Sequence, residues 1–341
     1  MICTNQAPKD DFPMLAKKPV NSPKSWQVGI NLGIYLRYPK LVRRFHSKMG
    51  YWPNVSFPSS LQEKFLWRKV FDHNPFFTMV SDKLLSKKYA ASICPDLKSP
   101  KVLWSGTDLK DAPQTLLESQ GILKSNHGWE QLVFLPTNDL SPSALKQRTE
   151  QWMSEPYGVE KGEWAYADIN RRLFIEELIS TKSGGPITDY KVHVLGGSAL
   201  FVSSPGPNKT FTRFRRDGTT YAPNDAEEKQ NLEVPFPKPG EAFYKAISFA
   251  EQLGKNHDYI RCDFLAVDED VWCGELTIYT SSGYPVIHDT ELLHYWNNNW
   301  DLRKSWFLQY PHSGWRRRYA AALDSFINRI RSGDGRTNNP N

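Results

Sequence analysis

No stretch of this 341-residue chain is apolar for long enough to span a bilayer, and its opening, MICTNQAPKDDFPMLAKKP, has no apolar signal core. Neither an integral membrane segment nor secretion is therefore expected. Cysteine is scarce: Cys3, Cys94, Cys262 and Cys273 are scattered, with no CxxC pair. That usage fits free thiols in a reducing, cytoplasmic compartment. The histidines show no metal-ligand spacing, which argues against a zinc enzyme. There is no GxxxxGK[ST] loop, and no Ser-His-Asp or Cys-His arrangement stands out. Net charge is only +6, gathered at 37–48, 213–216 and 316–318. This suits an anionic substrate and is too weak to argue for nucleic acid.

What is present is a globular composition, 39% hydrophobic and 13% aromatic, at a length that allows two or three domains. Residues 31–49 and 60–72 carry aromatic and leucine residues at helical spacing, and Ser59-Ser60 with Glu63 nearby marks a helix start. Further helices are predicted over 82–91, 111–121 (closing on Gly121), 141–153, 240–253 and 315–330. Strands are predicted over 101–104, 122–136 (two, around a polar loop) and 173–179, with a hairpin over 188–203 turning at Gly196-Gly197. Residues 1–27 read as a loose lead-in, 235–240 as a linker and the last ten as disordered. Strands and helices mix without strict βαβ alternation, so the fold class is α+β.

The segment YIRCDFLAVDEDVWCGELTIYTSSG, from Tyr259, is the most informative. Two β-rich runs flank an acidic turn. With period-two alternation, Arg261 and Asp263 share one face, and Ile260, Cys262 and Phe264 share the other. A turn centred near Glu269 sets Asp263 opposite Glu275 and Arg261 opposite Thr277, with Cys273 on the face of Glu275 and away from Cys262. Two carboxylates, a guanidinium and a hydroxyl then converge. Such a patch can hold Mg²⁺ together with substrate phosphates; the plainer alternative is an exposed hairpin with a cross-strand charge pair.

Four other pieces carry chemistry. Lys83 follows Asp82 at a helix start. Lys124 closes a strand before Ser-Asn-His-Gly, a loop whose backbone N–H groups could approach phosphate or which could be a plain turn. Glu176 and Glu177 end a buried run and point oppositely, so at least one faces a polar site. Lys191 and His193 share a face of the next hairpin, and Arg213, Arg215 and Arg216 follow in a loop that could close over an anion.

In this order the pieces resemble the ATP-grasp superfamily, most closely its TupA-like branch, named for teichuronopeptide biosynthesis and linked to bacterial surface polysaccharides. The likeness covers roughly residues 60–290, strongest in NPFFTMVSDKLLSKKYAAS, FIEELIS, DYKVHVLGG and the hairpin. It implies two α+β subdomains clasping ATP behind a helical N-terminal region. The corresponding boundaries are 1–29 for the lead-in, 30–120 for the N-terminal region, 121–183 and 184–330 for the two subdomains and 331–341 for the tail. The resemblance implies that Lys83 and Lys124 contact ATP phosphates, and that Glu176, Glu177 and the backbone at Leu178 hold adenine and ribose. Lys191, or an arginine such as Arg213 or Arg215, would meet the γ-phosphate. Asp263 and Glu275 would bind Mg²⁺ or Mn²⁺ with Thr277, which stands where many relatives carry Asn. Arg261 and Lys191 would be the catalytic groups. The implied reaction is ADP-forming carboxylate–amine ligation through an acyl phosphate, with an acidic glycan, amino acid or peptide as partner. The alternatives are a glycosyltransferase of the same pathway and a non-catalytic nucleotide-binding protein.

Overall fold

In the computed structural model of the chain, the described residues are 25–181, 184, 187–206, 211–221 and 239–331. The lead-in to residue 24, most of the proline-rich linker and the tail from 332 lie outside them. Nine strands build two antiparallel sheets among these residues. The smaller has the order β1-β4-β2-β3, with β1 Val102–Gly106, β2 Gly121–Ser125, β3 Leu132–Leu135 and β4 Leu173–Glu176. The larger has the order β7-β6-β5-β8-β9, with β5 Thr188–Leu195, β6 Ser198–Pro205, β7 Phe211–Phe214, β8 Ile260–Val267 and β9 Asp270–Thr277. The smaller sheet draws β1 from before residue 121, so it begins earlier in the chain than the sequence suggests.

Local chemistry sets the helix starts. Ser60 and Glu63 form a reciprocal capping box on helix Leu61–Phe71. The Asp82 carboxylate accepts from the backbone N–H groups of Leu84 and Leu85 and so caps helix Lys83–Ile93. Helix Glu241–Leu253 buries Ala242, Phe243, Ala246, Ile247, Ala250 and Leu253, a stripe at helical spacing, against β5 and β8. The smaller sheet packs Leu123, Val133, Leu173 and Ile175 against Leu145 and Trp152 of helix Pro142–Ser154. An aromatic core of Phe65, Trp67, Tyr259, Trp296 and Trp300 joins the N-terminal helices to the end of the larger sheet.

Two expectations are corrected. The helix over 111–121 shrinks to a 3-10 turn at Leu109–Asp111 and one α-turn at Gln114–Leu117. Pro113 separates the two, and Gly121 opens β2 instead of closing a helix. Cys273 faces the apolar core beside Cys262, not the Glu275 face. The two-residue turn Asp268-Glu269 pairs Val267 with Asp270, and this register holds as far as Phe264 with Cys273. A β-bulge at Gly274 then adds one residue, so Asp263 pairs with Glu275 and Arg261 with Thr277. Without the bulge, Glu275 would pair with Cys262 and point into the core. A Cβ on residue 274 would stand 3.0 Å from the Asp263 carbonyl oxygen, which is why a glycine sits there.

Candidate functional site

The polar faces of the two sheets look at each other across a cleft of about 830 Å³. On the larger sheet the register lines up Arg213, Ser203, Lys191, Asp263 and Glu275 across all five strands, from β7 to β9. The next row holds Phe201, His193, Arg261 and Thr277. Charges 72 and 84 residues apart in sequence, those of Lys191, Asp263 and Glu275, thus become cross-strand neighbours.

Asp263 is the centre of the first row. Arg261 grips it with a two-pronged contact, Nε to Oδ1 at 2.6 Å and Nη2 to Oδ2 at 2.7 Å. Lys191 Nζ donates to Oδ2 at 3.0 Å and to Asp189 at 2.6 Å. Arg261 Nη2 also reaches Glu275 at 3.4 Å and the Thr277 hydroxyl at 3.2 Å, and that hydroxyl donates to Glu275 at 3.2 Å. Burial alone would raise the Asp263 pKa, but Arg261 and Lys191 outweigh it and hold the carboxyl below its ordinary value. Lys191 is held above its ordinary value: burial opposes its charge, and Asp263 and Asp189 overcome that. His193 is different. Fully buried, bonded to the Tyr259 hydroxyl at 3.1 Å and stacked on Phe201, it is pushed well below its ordinary pKa by burial, and so it is neutral at pH 7.

The smaller sheet supplies the opposite wall. Glu176 points into the cleft, where its carboxylate is bonded by Lys124 and paired with Lys87 at 3.0 Å. Lys87 follows Lys83 by one helical turn on helix Lys83–Ile93, a spacing visible in the sequence. Lys83 also lines the cleft, donating to the Gly128 carbonyl at 2.6 Å, and burial lowers its pKa. The Ser-Asn-His-Gly loop is not an open cradle. Ser125, Asn126 and His127 are fully buried, Asn126 N–H donates to Arg172 O at 3.0 Å, and Gly128 N–H donates to Ser125 Oγ at 3.1 Å. The part that faces the cleft runs from Gly128 to Leu132.

Lys83, Lys124, Glu176, Lys191, Arg213, Arg261, Asp263 and Glu275 thus share one cleft. Thr277 lines a smaller adjoining chamber with Lys83, Arg261, Glu275 and Tyr166. Glu177 points the other way and accepts from Lys101 N–H at 2.8 Å, and Leu178 is exposed beyond the strand end. Arg215 bonds Glu291 at 2.9 Å and Arg216 bonds Glu251 at 3.0 Å, both away from the cleft. At the lip, Ser281 and Ser282 hold φ of 49° and 53°, ahead of Gly283 at 82°. Two successive non-glycine residues in that region are uncommon and cluster at functional sites.

Among the described residues no three His, Cys, Asp or Glu side chains gather as a metal cluster. Asp263 and Glu275, both within reach of one Arg261 nitrogen, still fit Mg²⁺, which is commonly held by one or two carboxylates while water and phosphate oxygens fill the remaining positions.

The model of the TupA-like ATP-grasp family matches residues 63–293. No curated protein matches the chain. Among solved structures, the D-alanine–D-alanine ligase from Helicobacter pylori aligns at 15% identity over 65% of this chain and 61% of its own, with a TM-score of 0.40. The ADP complex of purK, N5-carboxyaminoimidazole ribonucleotide synthetase, aligns at 13% identity over 62% and 46%, with a TM-score of 0.35. The ATP-grasp ligase PsnB with minimal precursor, Mg and ADP aligns at 12% identity over 79% and 67%, with a TM-score of 0.36. The chain therefore spans 46% and 61% of the first two solved chains. At such scores the family match, not these alignments, carries the assignment.

Proposed function

This chain belongs to the TupA-like ATP-grasp family, and from that membership and the charged cleft we propose that it is an ATP- and Mg²⁺-dependent carboxylate–amine ligase. The observation that carries the reading is the row Arg213, Lys191, Asp263 and Glu275, with Arg261 beside it, facing Lys83 and Lys124 across the cleft. Lysines on both walls suit a polyphosphate, and the paired carboxylates suit the cation that accompanies it.

In this reading Lys83 and Lys124 meet the phosphates, and Glu176 with the backbone at Glu177 and Leu178 holds the nucleoside end; the Glu177 side chain is the weaker candidate, because it points away from the cleft and accepts from Lys101 N–H. Lys191 and Arg213 approach the γ-phosphate. Arg215 is the weaker candidate, because Glu291 engages it. Phosphate oxygens compete with Asp263 for Lys191 and Arg261, which frees Asp263 to join Glu275 in holding the metal, with Thr277 beside them. Bound Mg²⁺ or Mn²⁺ would neutralise charge on the phosphate oxygens. A substrate carboxylate oxygen attacks the γ-phosphorus, ADP leaves, and an amine then attacks the acyl carbon and expels phosphate. Phosphorylation is needed because carboxylate oxygen is a poor leaving group and phosphate a good one. Arg261, which can form two parallel hydrogen bonds to developing oxyanions, stabilises charge in both steps. No covalent protein nucleophile is required.

The substrates we propose are an acid and an amine of bacterial surface polysaccharide or peptidyl-polymer assembly, in the cytoplasm. Among the described residues no helix is long and apolar enough to cross a membrane. The test is a screen of carboxylates with ATP and hydroxylamine in place of the amine. Hydroxamate formed with ADP and phosphate supports the reading. AMP and pyrophosphate point to an adenylating enzyme instead.

A further inference from the structure

A helix on a protein surface normally has one apolar face; helix Ser25–Arg37 has two. Its inner face packs Ile34, with Ile30 and Tyr35 partly buried, into the aromatic core. Its outer face carries Val28, Leu32 and Leu36 at four-residue spacing, exposed to 52%, 57% and 76%, with Gly29 and Gly33 exposed alongside them. At 3.6 residues per turn these five positions fill one arc roughly 140° wide, and none of them is charged. Trp52, 56% exposed, extends the patch, its ring 5.9 Å from that of Tyr35. Single exposed leucines are ordinary, but a contiguous apolar patch marks an interaction surface.

Positive charge adjoins the patch. Helix Pro39–Met49 buries Leu41, Val42 and Phe45 and leaves Lys40, Arg43 and Lys48 exposed. The ring of His46, on that helix, lies 4.3 Å from that of Trp52, so the basic helix and the apolar patch meet. Residues 12–62 hold eight lysines and arginines and no aspartate or glutamate. The whole chain nets only +6, so this segment carries all of the excess positive charge and the remainder is slightly acidic. All of it precedes residue 63, where the family match begins.

We propose that this surface docks the protein on a bilayer rich in anionic phospholipid. Val28, Leu32, Leu36 and Trp52 enter the boundary between headgroups and acyl chains, and Lys40, Arg43 and Lys48 beside them meet lipid phosphates. Helices that lie in a bilayer interface combine an apolar face with aromatic side chains and nearby Lys and Arg, and the negative potential of an acidic leaflet attracts basic segments. With 13 residues, the helix is about 20 Å long, too short to cross a hydrocarbon core of about 30 Å, so it lies along the surface. Charge complementarity selects this occupant. A second copy set on the same face would bring two acid-free basic segments together and repel. A nucleic acid would satisfy the cations and leave the apolar side chains in water. The proposal concerns where the protein sits and uses no residue of the cleft, so it stands or falls apart from the ligase reading.

The test is flotation of the full chain with vesicles of phosphatidylcholine alone and of phosphatidylcholine with phosphatidylglycerol in equal parts. Wild type is compared with Leu32→Gln/Leu36→Gln and with Lys40→Gln/Arg43→Gln/Lys48→Gln. Glutamine keeps helix propensity and these side chains are exposed, so unfolding midpoints should not change. Wild type should partition onto the mixed vesicles about tenfold better, or more, than onto phosphatidylcholine alone, and added salt should reduce that binding. The leucine variant should lose about tenfold or more on the mixed vesicles, and the basic variant should lose the preference for them. No binding of wild type to the mixed vesicles overturns the proposal. So does undiminished binding by the leucine variant, or an undiminished preference in the basic variant. Light scattering on the same proteins closes the test: a wild-type dimer that the leucine variant turns into a monomer would assign the face to a second copy and overturn the proposal as well.

Discussion

Two arginine–aspartate pairs in this protein have the same 2.6 Å contact and opposite meanings. Arg68 and Asp258 are sealed in the aromatic core, with side chains 0% and 4% exposed. The Arg68 guanidinium lies near the rings of Phe77, Tyr259 and Trp300 and donates to the carbonyls of Tyr259 and Ile278, and Trp300 Nε1 donates to Asp258. Every neighbour is fixed protein. Arg261 and Asp263 are nearly as buried, but their neighbours are Lys191, Glu275 and an 830 Å³ cleft. The balance of charge differs too. In the core, a further acid, Asp72, joins Asp258 against one arginine, and burial with the nearby Asp258 pushes the Asp72 carboxyl up to about 7. In the cleft, two cations act on Asp263 and hold it down. A short ion pair by itself does not mark a site; one whose charged neighbours open on a cavity does.

The largest effect is expected from breaking the buried pair. Arg68→Met leaves Asp258 buried without its partner and should cost about 3–5 kcal/mol of stability, read as a drop in urea midpoint. Arg261→Met leaves Asp263 with Lys191 beside an open cleft. It should change the midpoint far less while lowering turnover about 10²–10³-fold. Equal destabilisation by the two would erase the distinction.

The second prediction concerns how Glu275 reaches the cleft. Deleting Gly274 removes the bulge and keeps Cys273 inward and Glu275 outward, so it should retain turnover within about tenfold, roughly 1.4 kcal/mol. Gly274→Val puts a side chain against the Asp263 carbonyl and favours the unbroken ladder that turns Glu275 into the core. It should lose far more activity than the deletion; the reverse order would contradict the bulge's role.

The smallest effect is on pH dependence. A carboxyl whose pKa is raised in the fold keeps its proton where the unfolded chain has already released it. Between about pH 4 and 7 the native state therefore binds more protons, and stability falls as pH rises through that window. Asp72 Oδ1 accepts from Phe307 N–H, and Oδ2 has no hydrogen-bond partner. Asp72→Asn should thus flatten the fall in urea midpoint between pH 5 and 7. An unchanged slope would mean that Asp72 does not carry it.

The hairpin's polar face could be read in the sequence because period two and an acidic turn together place Asp263 opposite Glu275. The bulge could not, because it depends on how residue 274 meets the Asp263 carbonyl across the strand pair. Cys273 was accordingly placed on the wrong face although the carboxylates were placed correctly. Alternation also separated Glu176 from Glu177 without saying which faced the cleft; the Lys87 and Lys124 contacts decide that. The partners of Arg215 and Arg216 come from helices 76 and 35 residues away, beyond any local pattern. The buried Ser-Asn-His loop deceived because its polar letters suit a surface turn equally well. Here they brace Asp82 and the Asn170 backbone through the Asn126 side chain.

In the proposed function, Asp263 and Glu275 form one cation-assisted nucleotide site. Calorimetry of ATP binding with and without Mg²⁺, on wild type and on the double variant Asp263→Asn/Glu275→Gln, tests it most directly. Wild type should bind ATP more tightly with Mg²⁺, and the double variant should lose that enhancement while keeping its unfolding midpoint. The same Mg²⁺ enhancement in both proteins would contradict the account.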